Sequence, residues 1–210
     1  MQERKWIDIS QPLTNAIGTW PGDTAFTYEV AYSKEQTGSV NIGRITTSLH
    51  TGTHVDAPFH FDDEGQKVHE LDINLYVGPA RIIDVTGYAS IGRQELEPFQ
   101  LDGVTRLLLR TVGSADPTVF PASITCLRKD IGPFLQEKGI RLLGVDVPSV
   151  DALDSKSMEA HHSLHANGVN ILENVMLGHV EPGNYELIAL PLPIEGADGS
   201  PVRAVVRPLD

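Results

Sequence analysis

The stretch His50–His60, HTGTHVDAPFH, places three of the chain's eight histidines and one aspartate within eleven residues. Imidazole nitrogen and carboxylate oxygen are the donors that hold zinc and similar divalent ions, and histidine is the commonest metal ligand. On a straight strand His50, His54, Asp56 and His60 would share one face. At about 3.3 Å per residue, His50 and His54 would then stand about 13 Å apart, too far for two ligands each about 2 Å from one ion. The chain must therefore bend between them. Gly52 can bend without steric cost, or residues 50–54 form one helical turn that brings positions i and i+4 together. His54 and Asp56 can point the same way in an extended segment, and Pro58 keeps the following chain out of helix.

A second group follows about a hundred residues later, where AHHSLHANGVNILEN offers His161, His162, His165 and Glu173. Two imidazoles and one carboxylate from the first group leave a metal short of a closed shell, and distant residues complete such sites. His161 or His162, with Glu173, are the candidates. Adjacent histidines diverge, so one would ligate while the other supports the site or faces a substrate, and His165 reads as a solvated helix residue. Cys126 is the only cysteine, so a cysteine-based zinc site is excluded and any metal must be held by nitrogen and oxygen. Asp146 and Asp151 in GVDVPSVD either orient metal histidines or cap turns. Ser163 next to His162 suggests a Ser–His pair, but the chain has no G-x-S-x-G elbow, and no G-x-G-x-x-G or P-loop to bind a nucleotide.

These residues must be positioned by the elements around them. Residues 1–210 read as a single domain, and 19 glycines with 14 prolines suit many short elements joined by turns. β-Branched and apolar runs bounded by turn residues predict strands over Trp6–Ser10, Phe26–Tyr32, Asn41–Leu49, Ala80–Val85, Arg106–Thr111, Ile140–Val145, Tyr185–Leu190 and Val202–Arg207. Helices are predicted over Ser90–Leu101, Leu127–Lys138 and Met158–Ala166, with Gly132-Pro133 set to split or delay the second. The runs LLLR and IRLLGVD read as strands covered on both faces. The fold class expected is α/β, a strand-rich single domain with few helices.

Composition narrows the function. Sixteen basic against 28 acidic residues give a formal charge of −12 without a basic run, which argues against nucleic acid as a partner. No apolar stretch approaches the length of a membrane span and the N-terminus lacks a signal-peptide core, so a cytoplasmic protein with no membrane partner is expected.

HTGTHVDAPFH resembles the H-x-G-T-H-x-D-x-P-x-H signature of the metal-dependent cyclase-like amidohydrolases and, among them, the bacterial kynurenine formamidases, or arylformamidases. TWPGD (Thr19–Asp23) and the segments Gly144–His162, Ile171–Asn174 and Tyr185–Arg207 resemble the same subfamily in order and spacing, so the likeness covers nearly the whole chain. The length also suits these formamidases better than longer relatives such as isatin hydrolases. The resemblance implies a swivelling β/β/α type of fold and a homo-oligomer, a dimer or larger. It implies that His50, His54, Asp56, His161 and Glu173 bind two zinc ions per subunit, with Asp56 and Glu173 bridging them; manganese, iron or cobalt would suit the same donors. His161 is assigned over His162 as the first of the pair, twelve residues before the glutamate. His60 would donate or accept the proton and Trp20 would line the substrate pocket. The sequence LEN, where some relatives have LEG, is a departure next to Glu173.

The implied substrate is a small aryl formamide, N-formyl-L-kynurenine, hydrolysed to L-kynurenine and formate in tryptophan degradation. Zinc lowers the pKa of bound water from 15.7 to about 7, so a metal-bound hydroxide could attack the formamide carbonyl at neutral pH. The alternatives are a hydrolase of cyclic amides of the isatin type and a metal-binding module without catalysis.

Overall fold

The computed structural model describes residues 5–113 and 115–209. In chain order its strands are β1 (Ile7–Asp8), β2 (Thr27–Tyr32), β3 (Ile42–Thr46), β4 (His54–Asp56), β5 (Val77–Asp84), β6 (Ser90–Ile91), β7 (Arg106–Arg110), β8 (Cys126–Leu127), β9 (Leu142–Val145), β10 (Asn170–Glu173), β11 (Gly183–Ile188), β12 (Gly199–Pro201) and β13 (Val205–Pro208). The helices are α1 (Lys34–Thr37), α2 (Arg93–Leu96), α3 (Ile131–Glu137) and α4 (Glu159–Ala166). The protein is mixed α/β and strand-rich, as its composition and turn content imply.

Nine strands form one sheet in the order β1-β13-β11-β5-β7-β9-β10-β4-β12. Its centre, β5-β7-β9-β10, is parallel and its flanks are antiparallel. Leu107 and Leu109 of β7 point into an apolar cluster with Ile131, Phe134, Leu135 and Leu164 of α3 and α4, while Leu108 points into the opposite cluster. Leu142 and Leu143 of β9 divide in the same way. That is why LLLR and IRLLGVD are apolar without alternation: both faces are covered. The second cluster joins Val206 and Leu187, near one end of the sheet, to Val55, near the other. The sheet must curl around it to bring them together.

Some boundaries depart from expectation. Ser90–Leu101 is not one helix: Ser90–Ile91 pairs with Cys126–Leu127 as the short parallel β6–β8 ladder, and only Arg93–Leu96 is helical. The helix expected over Leu127–Lys138 starts at Ile131, which puts Pro133 in the first turn, where its missing N–H costs nothing. Helix α4 matches its expected span and ends at Asn167-Gly168, with Gly168 at φ +68°. β2 and β3 form a separate two-stranded ribbon on which Tyr28, Val30, Tyr32, Ile42 and Ile45 are exposed.

Candidate metal centre and its cavity

Gly52, at φ +70°, makes the bend the histidine spacing demands; a Cβ there would also lie 2.6 Å from Leu13 Cδ2. The chain leaves this bend as β4, inserted between β10 and β12. The β4–β10 register sets His54 opposite Glu173, so two residues distant in sequence become a cross-strand pair on one face. His161 comes from the first turn of α4, whose N-terminus is capped from a distance: Asp151 accepts from the N–H groups of Ala160 and His161 at 3.0 and 3.1 Å.

The four side chains converge in pairs. His54 Nε2 lies 3.3 Å from Asp56 Oδ1 and 3.4 Å from Glu173 Oε2. His161 Nε2 lies 3.4 Å from Asp56 Oδ2 and 3.8 Å from Glu173 Oε1. Each carboxylate thus turns one oxygen to each imidazole. His54 Nε2 and Asp56 Oδ2 are buried without a hydrogen-bond partner, which is costly unless something else satisfies them. Ligands about 2.0–2.1 Å from one tetrahedral ion stand about 3.3 Å apart, so these separations, loose for hydrogen bonds, suit the edges of a coordination shell. The donor set therefore fits a divalent ion.

The outward ring nitrogens support this. His54 Nδ1 donates to the Gly52 carbonyl at 2.9 Å, and His161 Nδ1 pairs with Asp151 Oδ2 at 2.7 Å. Both bonds leave Nε2 aimed at the carboxylates, the arrangement that orients metal-binding imidazoles. His50 sits at the edge of the group, with Nδ1 3.0 Å from Asp56 Oδ1 and Nε2 2.9 Å from Asp198 Oδ2.

Charge follows from these contacts. Burial pulls the imidazole pKa values down, but neighbouring carboxylates outweigh it and push His54 up to about 10, His161 up to about 10 and His50 up to about 9. Burial raises the Asp56 carboxyl, yet its three imidazole partners hold it well below the usual carboxylate range. Without a metal ion His50, His54 and His161 are thus held as imidazolium beside the Asp56 carboxylate. Ion binding replaces those protons.

His60 ends a 3-10 turn over Pro58–His60 and stacks on His50, with ring centroids 3.9 Å apart. Both, with His54, His161 and Glu173, line a cavity of about 840 Å³. Across it Trp20 meets Phe120 edge to face, with centroids 5.3 Å apart. Gly18 makes that possible, because a Cβ there would stand 2.5 Å from the Phe120 backbone. Val112, Ile124 and Met158 complete an apolar wall.

Other residues separate cleanly. His162 and His165 are exposed, packed edge-on against Phe61 and away from the donor group. Asp146 orients no histidine; it accepts from the N–H groups of Thr111 and Val112 and from the Thr111 hydroxyl, tying the end of β7. Asp151 both caps α4 and holds His161. The Ser163 hydroxyl donates to the Lys129 carbonyl at 2.6 Å, so the Ser–His pairing does not form. Asn174 adopts φ +56°, the left-handed region that glycine and asparagine tolerate, and donates to the Gly52 carbonyl. Nothing in the sequence marks Asp198, whose Ala-Asp-Gly context signals only a turn.

Residues 7–152 match the protein family described as "Putative cyclase". The kynurenine formamidase of Bacillus thuringiensis (strain Al Hakam) is 65% identical over 209 residues, covering 100% of each chain. A solved structure described as a potential metal-dependent hydrolase with cyclase activity superposes with TM-score 0.84 at 25% identity, covering 98% of each chain. Isatin hydrolase A from Ralstonia solanacearum shares the fold, with TM-score 0.80 at 22% identity over 97% of this chain and 91% of its own.

Proposed function

The chain belongs to the cyclase family, and from that premise we propose that it is an arylformamidase hydrolysing N-formyl-L-kynurenine to L-kynurenine and formate. The full-length likeness to a kynurenine formamidase supports the substrate. The observation that carries the chemistry is the pair of buried, unpartnered atoms, His54 Nε2, which faces the Asp56 and Glu173 carboxylates beside the cavity, and Asp56 Oδ2, which faces His161 Nε2.

His50, His54, Asp56, His161 and Glu173 would hold the zinc ions, with Asp56 and Glu173 each facing both His54 and His161. Manganese, iron or cobalt suits the same donors. Bound ions supply positive charge for the developing oxyanion and a water acidic enough to act as nucleophile at neutral pH. The chain's residues do the rest. The Trp20–Phe120 pair offers the aryl ring an apolar wall to pack against. His60 turns Nδ1 toward Asp198, 3.6 Å away, so Nε2 is left to exchange the proton between the attacking water and the departing aniline nitrogen. Water adds to the formyl carbon, the C–N bond breaks, and the nitrogen gains the proton.

A homo-oligomer, a dimer or larger, is part of this reading. Its support is the β2–β3 ribbon, whose apolar side chains are about half exposed, at 47–59%; a two-stranded ribbon is marginal without further packing.

Metal content and N-formylkynurenine hydrolysis, measured on the same protein before and after chelation, test the proposal. Two zinc ions per chain, with activity lost on chelation and restored by zinc, are expected. Hydrolysis of isatin with none of N-formylkynurenine would replace the substrate; full metal without turnover of either would leave only a binding role.

A further inference from the structure

We propose that Asp198 is the positioning residue of this site, one carboxylate that fixes the orientation of His50 and His60 together. The proposal rests on reading His50 as a metal ligand and His60 as the proton carrier.

Asp198 precedes β12, the edge strand beside β4. Its carbonyl accepts from the Ala57 N–H at 2.9 Å, and Gly199 stands opposite Asp56 in the β4–β12 register. The loop is thereby tied to the strand that carries the ligands. Asp198 Oδ2 lies 2.9 Å from His50 Nε2 and 3.6 Å from His60 Nδ1. The next residue completes the cradle. A Cβ on Gly199 would come within 3.0 Å of His50 Cε1, 3.3 Å of His50 Nε2 and 2.9 Å of the Val55 carbonyl. The Asp-Gly pair thus does two jobs: Gly199 leaves room for the His50 ring, and Asp198 accepts a hydrogen bond from its Nε2–H.

His50 then follows the pattern of the other two imidazoles. His54 is anchored by the Gly52 carbonyl and His161 by Asp151, each through the nitrogen turned away from the centre. With Nε2–H donated to Asp198, His50 keeps Nδ1 for the side occupied by Asp56 Oδ1. Only this third anchor also faces the proton carrier. Because the His50 and His60 rings stack at 3.9 Å, one carboxylate can hold a ligand and a transfer group in a fixed relation.

The variants Asp198→Ala and Asp198→Asn test this, with zinc affinity measured by chelator competition and folding of the metal-free protein followed by circular dichroism. Removing an outer hydrogen-bond partner of a ligand costs about 10–100-fold in metal affinity. In Asp198→Ala one of two zinc ions is expected to weaken by that factor while the other stays, and kcat to fall with KM little changed. Asp198→Asn, whose amide oxygen still accepts from His50 Nε2–H, should recover most of the affinity. Should the alanine variant not fold, the asparagine variant alone decides by splitting the pair: zinc affinity near that of the parent, with kcat reduced. Both ions held as tightly as in the parent by Asp198→Ala, both weakened alike in an Asp198→Ala protein that folds, or an Asp198→Asn protein with the parent's kcat, would overturn the positioning role. A parent protein that binds no zinc would instead overturn the metal reading, and this role with it.

Discussion

The proposed site has a closed half and an open half. The side chains of His54, Asp56, His161 and Glu173 are 1–4% exposed, whereas those of His50, His60 and Asp198 are 19–38% exposed. The closed half rests on β4, β10 and the first turn of α4, elements fixed by backbone ladders and by the core beneath them. The open half comes from a bend, a 3-10 turn and a loop. The difference separates two tasks that need opposite surroundings. Buried carboxylates require compensating positive charge, from protons or from a metal ion. A group that passes protons must reach water and substrate.

The largest expected effect follows from breaking the closed half at its shared member. Asp56 faces both His54 and His161, so Asp56→Asn should empty both proposed ion sites and lower turnover by at least about 10²–10³-fold. Metal analysis alongside hydrolysis checks it; a variant that keeps its zinc and its rate would show that Asp56 bridges nothing. His60→Ala sharpens the contrast from the open side. Turnover should drop by about 10²–10⁴-fold, the usual contribution of a positioned acid or base, while zinc content stays at the parent level. Loss of zinc in this variant would place His60 among the ligands.

The members of the site, within each half, also differ in how far the sequence disclosed them. His50, His54 and Asp56 are close in the chain, so spacing alone required a bend between the histidines, though not whether Gly52 or a helical turn would make it. Glu173 and His161 needed either a family likeness or the β4–β10 register, because no local pattern says which strand lies opposite which. β4 itself was not among the predicted strands: it is three residues long, His-Val-Asp, too short for its alternation to stand out. β6, β8 and β12 are as short and were missed for the same reason. β7 and β9 were legible because their covered faces demand continuous apolar residues. Asp198 could not be found, since in a turn an aspartate before glycine needs no further explanation.

Acid–base behaviour gives a third, smaller effect confined to the closed half and His50. In the metal-free protein these imidazoles have folded pKa values of about 9 to 10, above the roughly 6.5 of an unfolded chain. Their contribution to stability is therefore fully present below about pH 6.5 and is lost as pH rises through about 9 to 10. Thermal unfolding of the metal-free protein should move to lower temperature across that window. Zinc binds the deprotonated rings, so its stabilisation should grow over the same range. A metal-free midpoint that climbs with pH there would mean that the imidazoles are not held as cations.

The smallest effect lies outside both halves, on the cavity wall. Trp20 is 38% exposed and touches Phe120 rather than any metal-site donor, so it has nothing to do with holding ions or moving protons. Its edge-to-face geometry offers an aryl ring a third partner, and such contacts are worth about 0.5–1.5 kcal/mol beyond area. Trp20→Ala should therefore raise KM for N-formylkynurenine by about 2–10-fold, with kcat and zinc content near those of the parent. His162→Ala, at an exposed ring outside the cavity, should change none of the three. If Trp20→Ala lowers kcat instead and leaves KM alone, the tryptophan orders the reacting end of the substrate, and the boundary between wall and open half has been drawn in the wrong place.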